Sequence, residues 1–264
     1  MPLTTTKGPG RSLDALLETG GVVVEGLLAL DEVEVLRDCF DALRSAGVPT
    51  SRQILYTHVV PEESRPGFDS LFEQWFNPHL REAVGSTRAM LERLGVRLSE
   101  RLAPGLSAFQ DLLLTKHAEH RSLAWHQDEP FWPIDTPWGA VVWCALDPVD
   151  RERGGVELAL ASHRELGPAI DLHTGEAQLA TKGERFDATG FELCCPELAP
   201  GDALIFHART WHRSGVNADG LPRRAWISTW LPREARWDPA RAPRHPRAST
   251  VLAGARVCAS ESRT

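Results

Sequence analysis

From Phe109 to Leu231 the chain is a succession of short apolar or alternating runs: Phe109 to Lys116, Ala140 to Leu146, Val156 to Leu160, Phe191 to Leu198, Ala203 to His207 and Arg224 to Leu231. Gly, Pro and Asp separate them. Runs this short are strand-length, and turn signals at such spacing predict a sandwich or barrel. The upstream third reads differently. Gly21 to Leu28 is a β-rich run after a polar, mobile tail. Asp31 then offers an N-cap with Glu34 at the capping-box position. Val33, Leu36, Phe40 and Leu43 form one helical stripe that stops near Gly47-Val48-Pro49. A second helical stretch starts at Asn77-Pro78, breaks around Gly85-Ser86 and resumes through Met90, Leu91 and Leu94 to a C-cap at Gly95. Helices followed by many short strands predict a mainly β fold, with flanking helices on one outer face of a jelly roll. The expected organisation is one domain over residues 1–232, with N-terminal helices to about residue 105 and a β core from about 106. The polar, Gly-interrupted stretch from His163 to Gly190 reads as a long loop near the mouth of a site, and residues 233–264 as a loosely held tail.

Composition narrows the partners. A formal net charge of −7 over 264 residues argues against a nucleic-acid surface, which needs clustered Lys and Arg. A small-molecule partner is expected, with the chain a monomer or homodimer. Five cysteines without a CxxC pair suggest neither a disulfide framework nor a zinc knuckle; reduced thiols fit a cytoplasmic protein. The start, MPLTTTKGPGR, has no apolar core, and Gly20 to Leu30 is short and broken by Glu25, so neither an export signal nor a membrane span is expected.

His126-Gln127-Asp128 is followed 86 residues later by His212 and 11 residues after that by Arg223. In an extended segment the side chains of residues 126 and 128 leave one face. Two imidazoles and a carboxylate leave about three positions of an octahedral Fe(II) open. A lone HxD triplet arises often by chance. His207 competes with His212, since both lie near a strand end; the spacing to Arg223 favours His212.

These residues resemble the phytanoyl-CoA dioxygenase family, iron and 2-oxoglutarate oxygenases with a cupin-like double-stranded β-helix. The resemblance covers most of the chain. It rests on Trp125-His126-Gln127-Asp128, Phe131-Trp132-Pro133, Val142-Trp143-Cys144-Ala145-Leu146-Asp147, Gly154-Gly155, Ser162-His163-Arg164, Pro200-Gly201-Asp202, and His212-x-Ser214-Gly215-x-Asn217 with Arg223-Arg224-Ala225. It implies that His126, Asp128 and His212 hold Fe(II) and are catalytic, and that Arg223 takes the far carboxylate of the cosubstrate 2-oxoglutarate, a role suited to a planar guanidinium fork. Ser214 and Trp143 match positions that contact or line the cosubstrate pocket, and Lys116 a strand-end lysine. Strand alternation alone does not choose between Arg223 and Arg224, and the resemblance selects Arg223. Gln127, Phe131 and Trp132 are candidate substrate contacts, with Tyr56 and His58 in lid segments. Ala161 stands where Pro-Gly often precedes Ser-His.

The resulting expectation is a dioxygenase that uses Fe(II), 2-oxoglutarate and O2 to hydroxylate or desaturate a small molecule. Asp128 disfavours halogenation, which needs that ligand position vacant for halide. The rivals are a Zn hydrolase on the same ligands, with a neighbour such as Glu129 as base, and a non-catalytic jelly-roll binding protein.

Overall fold

The computed structural model describes residues 3–6, 12–48, 72–120, 122–167, 186–243 and 252–257. Tyr56, His58 and most of the expected loop after His163 lie outside them.

The N-terminal segment, expected to be a mobile tail, instead contributes a strand, β1 (Thr4–Thr6), and a helix, α1 (Ser12–Thr19). β1 pairs in parallel with β2 (Gly21–Val24), which ends well before Leu28. Helix α2 (Leu30–Ser45) buries Val33, Leu36, Phe40 and Leu43 as the stripe predicts, but its cap is not Asp31. The Ala29 N–H donates to Glu32 Oε2 at 2.9 Å, and Glu32 also receives Arg97 at 2.7 and 2.9 Å from the next long helix. The capping carboxylate therefore lies two residues earlier and bolts two helices together. That next helix, α3 (Ser86–Arg101), follows β3 (Glu73–Phe76) and two single 3-10 turns. It runs through Gly95, so Gly95 is no C-cap. A Cβ there would lie 3.1 Å from the Trp230 ring, and the missing side chain lets that indole lie against the helix.

The β core comprises β4 (Ser107–Lys116), β5 (Leu123–His126), β6 (Ile134–Asp135), β7 (Ala140–Ala145), β8 (Val156–Ala159), β9 (Leu193–Cys194), β10 (Ala203–His207), β11 (His212–Ser214), β12 (Arg223–Leu231) and β13 (Arg236–Trp237). Seven strands form the major sheet in the order β1-β2-β10-β7-β12-β4-β3, and four form the minor sheet, β5-β11-β8-β9. Apart from β1 with β2, their pairings are antiparallel. This is a jelly roll with helices on the outside of its larger sheet. Val142, Cys144, Ile205, Trp226 and Trp230 pack with the helical Leu36, Phe40, Leu94 and Leu98. The alternate residues Val141, Trp143, Leu204, Phe206, Ala225 and Leu231 share a second core with Val156 and Leu158 of the minor sheet. Burial on both faces is why the major strands read as near-continuous apolar runs.

One strand and the tail depart from expectation. Of Phe191 to Leu198 only Leu193–Cys194 finds a ladder, against Leu158 and Ala159. The chain beyond Pro232, expected to be loose, is packed where described: β13 pairs with β6, and Ala235, Trp237 and Val257 are buried. Trp237 meets Phe109 edge-on, and Phe109 meets Trp132 in the same way. Among the described residues no helix is long and apolar enough to cross a membrane.

Candidate active site between the two sheets

His126 closes β5 and His212 opens β11, and the two are directly paired across the minor sheet. Their ring centroids are 4.0 Å apart. Asp128 does not share an extended face with His126 as the spacing suggested. The strand ends at His126, and Asp128 has helical backbone angles (φ −84°, ψ −39°) ahead of the 3-10 turn Glu129–Phe131. That turn, held by the Asp128 N–H donating to Ala208 O at 2.9 Å, brings Asp128 Oδ1 to 3.7 Å from His126 Nε2 and 3.8 Å from His212 Nε2. Ligand atoms about 2.0–2.2 Å from one ion can stand no more than about 4.4 Å apart, and both separations lie inside that limit. His212 Nδ1–H donates to the Thr210 carbonyl at 2.9 Å, leaving the Nε2 lone pair for a metal. Among the described residues His126, Asp128 and His212 are the one group of three such donors close enough to hold an ion.

His207 belongs elsewhere. It is buried 5.0 Å from the ring of His163, its Nδ1 accepts the Arg209 N–H, and burial together with His163 and Arg209 pulls its pKa down to about 3. Glu129 is also committed: it is 2% exposed and binds Arg209 at 2.8 Å through both oxygens.

The major sheet contributes the cations. Arg223, the first residue of β12, is paired with Lys116, the last of β4. Arg223 is 1% exposed and Lys116 0%. Like charges placed opposite each other across a ladder repel, and desolvation adds to the cost. Arg223 lies over the Trp143 ring at 5.1 Å and donates one N–H to Gly154 O, while its buried Nε has no partner among the described residues. Lys116 Nζ donates to Ser214 Oγ at 3.2 Å, linking the cations to the strand that carries His212. Among the described residues neither cation has a carboxylate within ion-pair reach. Burial, then the nearby Arg223, lowers the Lys116 pKa to about 7; burial lowers that of Arg223 to about 10. Arg224 faces the other way and is answered by Asp147 at 2.8 and 2.9 Å.

Gly154 and Asn217 are parts of this site that sequence reasoning left without a role. Gly154 has φ +68°, and a Cβ would lie 2.8 Å from Gly215 O and 3.1 Å from Lys116 Cδ, so only glycine allows this approach. The Asn217 amide donates to Lys116 O at 2.9 Å and Leu221 O at 2.7 Å, pinning the β11–β12 turn to the end of β4. The pairs Gly154-Gly155 and Gly215-x-Asn217 were the available signals, but their partners are remote in sequence.

The substrate candidates divide. Both donors of the Gln127 amide go to backbone carbonyls, so it is not turned to a substrate as expected. Trp132 is 4% exposed and packs into the second core, which removes it too. Phe131 is half-buried one turn from Asp128, its N–H donating to Asp128 O at 3.0 Å, and remains a candidate.

The family model for phytanoyl-CoA dioxygenase (PhyH) matches residues 16–225. No curated protein matches the chain. Among solved structures, the non-haem α-ketoglutarate-dependent epimerase SnoN from nogalamycin biosynthesis is 22% identical, with 93% of this chain and 94% of that one covered and a TM-score of 0.68. The carbocyclase SnoK from the same biosynthesis is 17% identical, covering 94% and 92%, with a TM-score of 0.68. EctD from S. alaskensis, solved with 2-oxoglutarate and 5-hydroxyectoine, is 20% identical over 88% of this chain and 79% of that one, with a TM-score of 0.60. These structures share the fold, and the family match spans the helices, the His-Asp-His cluster and the buried cations alike: the chain belongs to the phytanoyl-CoA dioxygenase family and is an enzyme of the iron and 2-oxoglutarate oxygenase superfamily.

Proposed function

We propose that the protein is an Fe(II)- and 2-oxoglutarate-dependent dioxygenase that hydroxylates or desaturates an unactivated C–H position of a small molecule. This reading is carried by the buried Arg223–Lys116 pair, opposed across a ladder with no acidic partner among the described residues and joined through Ser214 to the strand of His212. Two cations in that position call for an anionic ligand beside the metal site. His126, Asp128 and His212 would hold the iron. Arg223 and Ser214 would take the distal carboxylate of 2-oxoglutarate, with Lys116 adding charge and Trp143 forming a wall. When bound, iron and 2-oxoglutarate supply dioxygen activation and the oxidising equivalents.

The protein's own part is orientation and exclusion of water. The Thr210 carbonyl fixes the His212 ring, and the Arg209–Glu129 pair braces the turn that presents Asp128. Asp128 is the most exposed of the three ligands, its side chain 28% accessible against 9% for His126 and 8% for His212. It therefore marks the side from which a substrate approaches, past Phe131. A Zn hydrolase is disfavoured because its nearest base, Glu129, is bound to Arg209. The protein is proposed to be a cytoplasmic monomer or homodimer with no nucleic-acid partner, in line with the net charge of −7.

The relatives described as an epimerase and a carbocyclase show that this fold carries several outcomes. Asp128 fills the ligand position a halide would need. Turnover with Fe(II), 2-oxoglutarate and a small-molecule panel, read by mass spectrometry, tests the reading. Product mass should rise by one oxygen or fall by two hydrogens, with succinate formed in step. A chlorinated product in chloride buffer, or substrate consumption without succinate, contradicts it.

A further inference from the structure

The turns that bear the metal ligands make a second set of contacts. Gln127, between two ligands and 2% exposed, donates to Glu165 O at 2.8 Å and Arg209 O at 2.5 Å and accepts the Gly167 N–H at 2.6 Å. Gly167 lies flat against Trp211: a Cβ there would be 2.7 Å from that ring. Phe186 stacks on Trp211, with ring centroids 4.4 Å apart and planes at 9°, and lies 5.3 Å from Trp125. Trp125 immediately precedes His126, and Trp211 immediately precedes His212. Gly167 and Phe186 are thus fastened to the sequence neighbours of the three ligands.

We propose that Gln127, acting with Trp211, is a positioning residue that couples metal binding to the ordering of the Glu165–Gly167 segment and Phe186. The inference rests on reading the triad as a metal site. Gln127 sets the distance between the HxD turn and the Arg209–Trp211 turn that delivers His212, the same distance that an ion shared by His126, Asp128 and His212 would set. Each event favours the other by an equal factor, since coupling between two equilibria is reciprocal.

The test uses the full-length protein with Co(II) as an oxygen-stable probe, and reads Co(II) affinity together with hydrogen exchange at the Gly167 amide. In the unmodified protein Co(II) should slow that exchange. In Gln127→Ala the exchange should be fast with or without Co(II), and Co(II) affinity should fall about three- to ten-fold, the worth of one or two net hydrogen bonds. Phe186→Ala, a change at a half-buried ring packed on Trp125 and Trp211, should weaken Co(II) less but in the same direction. Co(II) affinity unchanged in both variants, or bound Co(II) that leaves Gly167 exchange unaltered in the unmodified protein, overturns the coupling while sparing the metal site. An unmodified protein that binds no Co(II) removes the metal-site reading and the coupling with it.

Discussion

Arg223 is 1% exposed, faces Lys116 across the β4–β12 ladder and leaves its buried Nε without a partner among the described residues, whereas its neighbour Arg224 is satisfied by Asp147. The two arginines should therefore respond differently to truncation. Arg223→Ala should weaken 2-oxoglutarate about ten- to a hundred-fold, the ~1.5–3 kcal/mol of a charge-assisted contact. Arg224→Ala should change that affinity less than about two-fold and cost about 1 kcal/mol or less of stability, as partly exposed pairs do. Titrating 2-oxoglutarate into both metal-loaded variants checks this; equal losses contradict it. Lys116 adds a pH dependence. Its pKa, lowered to about 7 by burial and then by Arg223, lies below the usual lysine value, so the unfolded chain binds more protons from about pH 7 upward. Stability of the ligand-free protein should rise with pH through that window. An anionic ligand favours the charged amine, so 2-oxoglutarate affinity should fall as pH rises above about 7. Calorimetry of the metal-loaded protein at several pH values checks the sign, and Lys116→Met should flatten the profile.

At the scale of elements, the turn before the 3-10 helix Ser162–Arg164 carries a strain that can be relieved. Ala161 has φ 62° and ψ 7°, the left-handed region, which costs an L residue about 1–2 kcal/mol. Glycine removes that cost but adds unfolded-chain entropy of about 0.4–1 kcal/mol. Ala161→Gly should therefore stabilise by roughly 0.5–1 kcal/mol, raising Tm by about 1–4 °C; a lower Tm contradicts the strain. The sequence pointed to this turn only through the missing Pro-Gly. Other elements were legible to different degrees, for physical reasons. Ala203–His207 was read to the residue because all five of its side chains are buried. Phe191 to Leu198 was over-read because only Leu193–Cys194 finds a ladder partner, and apolar content alone does not make a strand. Helix α1 passed unnoticed because eight residues give few repeats of its period. Alternation could not choose between Arg223 and Arg224 because β12 is packed on both faces, Ala225 against the sheet-to-sheet core and Trp226 against the helices. The partners of Gln127 lie 38 to 82 residues away and leave no local signal.

At the scale of the molecule, the proposed site exists only where the two sheets meet. The minor sheet and its turns supply the His-Asp-His cluster, the major sheet supplies Arg223, Lys116 and Trp143, and the Lys116–Ser214 bond joins them. The C-terminal segment belongs to this assembly. Trp237 closes over Phe109, whose strand, β4, ends at Lys116, so a boundary at residue 232 cuts through packed structure. In the proposed site the three ligands and the buried cations together receive a single chelated ligand. Anaerobic titration of 2-oxoglutarate into the Fe(II)-loaded protein, followed by visible absorption, tests it most directly. A metal-to-ligand charge-transfer band should saturate with 2-oxoglutarate, be lost in His126→Ala and His212→Ala, survive in His207→Ala, and require about ten- to a hundred-fold more ligand in Arg223→Ala. Absence of the band from the unmodified protein, or its persistence at unchanged affinity in Arg223→Ala, would mean that the triad and the buried cations do not form one site.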